Sequence, residues 1–258
     1  QPFSLQLFFW ATLGIAMLSA AAAVVNCLIE KQIDAKMART AWRPLPAGNL
    51  STNQTLIFAI LLGAIGFILL ITFVNSITAY LTLATFAGYA FLYTVVLKPL
   101  TPQNIVIGGA SGAMPPVLGW AAVNGSVSPE AWLLFLIIFV WTPPHFWALA
   151  LYRVDDYKRT GLPMLPVTHG SKFTRLQILL YASLLFPVAL SPVLVGMSSY
   201  IYLVVSSVAT IYFIILCWKL YIEYSERTAR YVFRYSIYYL SLVFAGLIID
   251  KLVTQLFL

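Results

Sequence analysis

Apolar residues dominate this chain in long, unbroken runs. Eight runs stand out, at roughly 5–29, 55–74, 77–97, 104–122, 131–152, 174–196, 199–221 and 233–256. Each is about 20 residues long and none alternates, which predicts helices rather than strands. Their connections differ in kind. Those near Asn75-Ser76 and Met197-Ser198 are tight turns. The segments 30–54, 153–173 and 222–232 are long and polar, and 123–130 is polar without Lys or Arg. Hydrophobic residues make up 61% of the 258 residues and charged residues only 9%. A soluble domain is nearer half apolar and a quarter charged. The pattern therefore predicts an all-α, polytopic transmembrane helical bundle, because a bilayer tolerates only structures that satisfy their own backbone.

The net charge of +7 invites a nucleic-acid reading, but its distribution points elsewhere. With segment 30–54 on the inner side and every run crossing, the inner ends carry Lys31, Lys36, Arg39, Arg43, Lys98, Arg153, Lys158, Arg159, Lys172, Arg175, Lys219, Arg227, Arg230 and Arg234. Lys251 alone falls outside. That asymmetry is the positive-inside signature of a membrane protein, and there is no basic stripe or zinc-finger spacing for nucleic acid. The lipid bilayer is the expected surroundings. The two cysteines, Cys27 and Cys217, lie far apart and suggest neither a disulfide nor a metal cluster. The first run lacks the charged leader and short apolar core of a signal peptide, so it reads as a span.

Acidic residues are not needed for topology, and here they cluster. Asn26, Glu30 and Asp34 recur every four residues, so on a helix all three share one stripe over ~12 Å. Arg39 and Arg43 follow, then Pro44, Pro46 and Gly48 end the segment, and Ser51 to Gln54 read as a capping box. A second group, Arg153, Asp155, Asp156, Lys158 and Arg159, falls on the same membrane face. Two readings stay open for these clusters. One is an ion-pair network holding the loops. The other is a site for a lipid diphosphate, with carboxylate oxygens for Mg²⁺ and cations for phosphate oxygens. Further candidates lie within the spans. His145 follows Trp141-Thr142-Pro143-Pro144 at membrane depth, where an ionisable group is either functional or satisfied by a neighbouring helix. Tyr93 either lines a cavity or packs, and Asn104 either caps its helix or lines the site. The Gly108, Gly109, Ser111, Gly112 run allows close helix packing.

The stretch NCLIEKQIDAKMARTAWRPLPAG resembles the first acidic motif of the UbiA superfamily of intramembrane prenyltransferases. Three more segments resemble its haem O synthase (protohaem IX farnesyltransferase) branch: YTVVLKPLTPQNIVIGGASGAMPPVLGWAAVNG, WTPPHFWALALYRVDDYKRTGLPMLPV and RYSIYYLSLVFAGLIID. Together they cover residues 26–250 in matching order. The resemblance implies one prenyltransferase domain over 1–258 that uses farnesyl diphosphate, haem b and Mg²⁺. A haem vinyl group would become hydroxyethylfarnesyl, with water consumed and diphosphate released. It implies metal binding through Asn26, Glu30, Asp34 and Asp156, and diphosphate contacts from Arg39, Arg43, Lys98, Arg153 and Lys158. His145, Tyr93 and Asn104 become candidates for binding haem. Nine spans are implied, which places one before Gln1. A bacterial inner membrane is expected ahead of a mitochondrial one, with the site loops on the cytoplasmic or matrix side, and haem A synthase or oxidase-assembly proteins are candidate partners. Two departures stand out. Glu30 occupies a position that is Asp in much of the superfamily. Asp155 and Asp156 are adjacent, where the superfamily places acids one turn apart, so Asp156 is expected to carry more than Asp155. The alternatives are an aromatic, quinone-precursor acceptor, a haem-binding module without catalysis, and a transporter. The module would not need the Asn26, Glu30, Asp34 stripe, and the inverted repeats of a transporter are not seen.

Overall fold

A computed structural model describes residues 4–38 and 40–257. Among them there is no strand. The helices are α1 (Leu5–Ile29), α2 (Lys31–Asp34), α3 (Thr52–Phe73), α4 (Ser76–Ala87), α5 (Lys98–Leu100), α6 (Asn104–Gly112), α7 (Pro115–Asn124), α8 (Pro129–Tyr152), α9 (Val154–Thr160), α10 (Leu165–Thr168), α11 (Gly170–Leu194), α12 (Tyr200–Ile222) and α13 (Glu226–Phe257). A π-helical segment, Gly88–Leu97, joins α4 to α5. Among the described residues, eight helical stretches are long and apolar enough to cross a membrane. The runs read from the sequence are these stretches. Three begin earlier than expected, at Thr52, Gly170 and Glu226, because their first turns are polar and hydropathy alone leaves them out. The expected capping box is present: Ser51 Oγ accepts from the Gln54 N–H, and Gln54 Oε1 accepts from the Ser51 N–H.

Two departures from simple spans matter. The fourth is broken at Ala113-Met114 into α6 and α7, because Pro115 has no N–H to donate and disfavours helix before it. The third changes from α to π winding at Gly88. Such widened turns recur at functional sites. Both lie in apolar sequence, where hydropathy periodicity carries no mark of them.

The chain divides into two compact units. The first comprises Gln1–Ala131 with Asp155–Pro163, and the second Trp132–Val154 with Met164–Leu258. In the first, α1 packs along α3 and also meets α4, the π segment and α7. The α1 to α3 approach is close enough that a Cβ at Gly66 would lie 2.9 Å from Met17 Cβ and 3.0 Å from the Gly14 carbonyl oxygen. In the second unit α11, α12 and α13 pack in sequence. There the buried Asp250 of α13 caps α12: its carboxylate accepts from the Ser199 N–H at 2.7 Å, Ser199 Oγ at 2.6 Å, Ser198 Oγ at 3.0 Å and the Tyr202 N–H at 3.2 Å. A carboxylate so placed satisfies the orphan donors of a helix start.

Candidate active site

The acid stripe forms as spaced. Glu30 closes α1 by donating its N–H to the Asn26 carbonyl, and Asp34 donates to Glu30, so the helical path runs through the junction with α2. Asn26, Glu30 and Asp34 are all buried, at 8%, 5% and 3% exposure. A buried carboxylate needs a cation, and each has one. Lys98 Nζ lies 2.5 Å from Glu30 Oε1, and Arg43 Nη1 lies 2.7 Å from Asp34 Oδ2. Arg43 Nη1 also reaches Cys27 Sγ at 3.4 Å. Burial opposes the charge on Arg43, yet Asp34, Cys27 and Glu30 together outweigh it and raise the guanidinium pKa. Thr40 Oγ1 ties the following turn back to the Asp34 carbonyl.

The opposite wall comes from the π segment. Thr94 Oγ1 accepts from Asn26 Nδ2 at 3.1 Å and donates to the Tyr89 carbonyl five residues back. Lys98, the next residue on that stripe, holds Glu30. No expectation from the sequence falls on Thr94; the signal it offers is a short hydroxyl side chain four residues before Lys98 in an otherwise apolar and aromatic run. Tyr93 stacks on Tyr89 at 5.5 Å between ring centroids, and a Cβ at Gly108 would collide with the Tyr93 ring. The expected close packing at Gly108 is therefore present and Tyr93 is its partner, whereas a Cβ at Gly112 would meet nothing. Asn104 is not a cap: it lies inside α6 after Gln103, fully buried, and its Nδ2 donates to the Lys98 carbonyl at 3.3 Å. It thus holds the backbone that carries Lys98.

A cavity of about 180 Å³ opens between these walls, lined by Glu30, Lys98, Thr94 and Leu162 with Ile29, Ile33, Val95 and Pro99. Leu162 belongs to the second polar segment, which the fold brings to the first acidic cluster. Within that segment Asp156 is buried beside Arg159 at 2.5 Å, while the Asp155 side chain is 86% exposed. Lys158 is exposed and lies 3.9 Å from Asp155. Arg153 falls in the second unit, its guanidinium 5.8 Å from the Tyr152 ring centroid. Arg39 lies outside the described residues.

His145 also belongs to the second unit. Its ring is stacked on Trp141 at 4.3 Å and on Phe233 at 4.6 Å between centroids. Its Nδ1 lies 2.6 Å from Ser236 Oγ on α13. A neighbouring helix thus satisfies one ring nitrogen.

Among the described residues no three acidic, histidine or cysteine side chains converge within reach of one metal ion. The donors instead fit a hard cation that arrives with its own phosphate oxygens: one or two carboxylates held a turn apart, each beside a paired cation that a phosphate oxygen can draw away. The Glu30 pair lines the cavity, and there Lys98 can turn from its carboxylate to a phosphate oxygen while the carboxylate turns to the metal.

Residues 1–243 match the UbiA prenyltransferase family. A protein named protoheme IX farnesyltransferase, from Albidiferax ferrireducens, is 60% identical over 246 residues, which is 95% of this chain and 83% of that protein. Among solved structures, a digeranylgeranylglyceryl phosphate synthase is similar at a TM-score of 0.80 and 20% identity, covering 96% of this chain and 87% of its own. A UbiA homologue from Archaeoglobus fulgidus, bound to DMAPP and Mg²⁺, is similar at a TM-score of 0.67 and 16% identity, covering 95% and 89%. The structural likenesses establish the fold, and the match along nearly the whole length establishes the kinship: the chain belongs to the UbiA prenyltransferase family.

Proposed function

We propose that this chain transfers the farnesyl group of farnesyl diphosphate to a vinyl group of haem b, with addition of water, releasing diphosphate and haem O. The observation that carries the diphosphate half is two buried carboxylates, each paired with a partly exposed cation, Glu30 with Lys98 and Asp34 with Arg43, at the site that the acid stripe builds. The acceptor half rests on 60% identity to a protein named for protohaem farnesylation.

The allylic C–O bond breaks and its electron pair leaves with the diphosphate. Arg43 and Lys98 donate hydrogen bonds to the leaving oxygens, as cationic clamps do for developing phosphate charge. Arg39, Arg153 and Lys158 are further candidates for that contact. Asn26, Glu30, Asp34 and Asp156 are the oxygen donors that would hold Mg²⁺ with the diphosphate, and the ion when bound supplies Lewis-acid neutralisation of the leaving group. Thr94 and Asn104 position Asn26 and Lys98. The terminal vinyl carbon of haem then bonds to farnesyl C1, water adds to the inner vinyl carbon, and a proton is lost. His145 is the candidate for holding haem, with Tyr93 and Asn104 as secondary candidates. The basic ends of the spans support a reading in which the acidic site faces the cytoplasm of a bacterial cell.

The test offers purified protein radiolabelled farnesyl diphosphate and Mg²⁺ with either haem b or an aromatic acid. Label in the haem fraction supports the proposal. Label only in the aromatic acid identifies a quinone-precursor acceptor instead.

A further inference from the structure

Ser236 has one hydroxyl proton and two close neighbours. Its Oγ lies 2.6 Å from the Phe233 carbonyl oxygen and 2.6 Å from His145 Nδ1. The carbonyl can only accept, so the serine proton goes to it. The second contact is then a hydrogen bond only if the imidazole donates, which requires the proton of His145 on Nδ1. The backbone of the same residue is engaged as well, because Trp141 Nε1 donates to the Ser236 carbonyl at 2.8 Å. Trp141 and Phe233 lie near-parallel to the imidazole, at 20° and 26°. Both ring faces and one ring nitrogen are thereby fixed.

We propose that Ser236 is a positioning residue that holds neutral His145 as its Nδ1–H tautomer, so that the Nε2 lone pair is the ligand for the iron of the porphyrin acceptor. This rests on the reading of haem as acceptor. The chemistry is general: a histidine that binds a metal through one nitrogen usually donates the other N–H to an oxygen, and that oxygen sets tautomer and ring orientation. Here the oxygen is itself locked by the Phe233 carbonyl. Ser236 is fully buried, and the Trp141 bond goes to its backbone, so removing the hydroxyl leaves that bond in place.

The first arm of the test is ¹⁵N NMR of histidine-labelled protein in lipid. The chain has two histidines, so His169→Gln leaves the ring of interest alone. The expected spectrum has a protonated Nδ1, identified by its bond to Cγ, and an unprotonated Nε2. Ser236→Ala should release this preference and Ser236→Thr should keep it. A protonated Nε2 in the otherwise unaltered protein overturns the proposal without touching the haem reading. The second arm titrates ferric haem and follows its Soret and EPR spectra. Imidazole ligation is expected, lost in His145→Ala, weakened about 10- to 100-fold in Ser236→Ala, and restored in Ser236→Thr. Haem that binds without a histidine signature overturns the ligand assignment while leaving haem as acceptor. No haem binding at all, with the Nδ1–H tautomer present, defeats the acceptor reading and this proposal with it.

Discussion

Replacing Lys98 by Met should cost stability and activity through separable routes, and the Glu30 pair allows the stability loss to be sized. The Glu30 side chain is 6% exposed and that of Lys98 18%, with 2.5 Å between charged atoms. At an effective dielectric near 20 and charge centres ~4 Å apart, the attraction is about 4 kcal/mol. This agrees with the 3–5 kcal/mol usual for breaking a buried pair by removing one partner. Lys98→Met strands a carboxylate that is nearly shut off from water and should lose about 4 kcal/mol. Glu30→Gln strands a cation on a long, partly exposed stem that can swing outward, so about 1–2 kcal/mol is expected. The double variant removes both charges and should lose less than Lys98→Met alone. The coupling should reach about 2 kcal/mol. Unfolding by titrating SDS into mild detergent measures all three. Farnesyl transfer should be abolished in each, including the double variant whose stability recovers, because the diphosphate has lost its clamp. Single losses that add to within ~0.5 kcal/mol would show that the pair is not coupled, and a double variant with normal turnover would remove Lys98 from the reaction.

Other expectations follow from single contacts. Asp34→Ala should abolish turnover with the helical content unchanged by circular dichroism. Asp156→Ala should slow product formation by at least tenfold while Asp155→Ala changes it less than twofold, the difference reflecting their burial (an order-of-magnitude expectation for a charge held beside a leaving group). Gly108→Ala drives a methyl into the Tyr93 ring and should lower unfolding stability by about 1–3 kcal/mol, visible in the same SDS titration. Asp250→Ala removes four hydrogen bonds at the start of α12, leaves donors buried, and should cost about 2–4 kcal/mol.

Much of this was legible in the residues because it depends on local spacing. The spans follow from unbroken apolar runs, and the Asn26, Glu30, Asp34 stripe follows from helical periodicity. What was not legible depends on geometry across the fold. The adjacent pair itself does not tell that Asp156 is buried and Asp155 exposed. Nothing in GYAFLYTVVL separates a π turn from an α turn, since a run without charged residues and with Thr94 as its one short polar side chain has too little contrast to set a phase. Asn104 could be placed at a helix start from sequence, but its bond to the Lys98 carbonyl could not. Ser236 lies 91 residues from His145 and became a candidate only when α13 was seen to bring its hydroxyl to the imidazole. The role of Asp250 is likewise set by a helix start that the chain reaches much earlier. Local periodicity thus gives the acid stripe, and tertiary contacts supply the groups that pair with it.

Farnesylation of haem should proceed with addition of water. It is tested most directly by incubating the purified protein with haem b, farnesyl diphosphate and Mg²⁺ in ¹⁸O-labelled water and taking the mass spectrum of the porphyrin. The expected product is a porphyrin heavier by one farnesyl and one ¹⁸O hydroxyl group, formed in step with released diphosphate. Unmodified haem alongside a prenylated aromatic acid, or a farnesylated haem without the labelled oxygen, would contradict it.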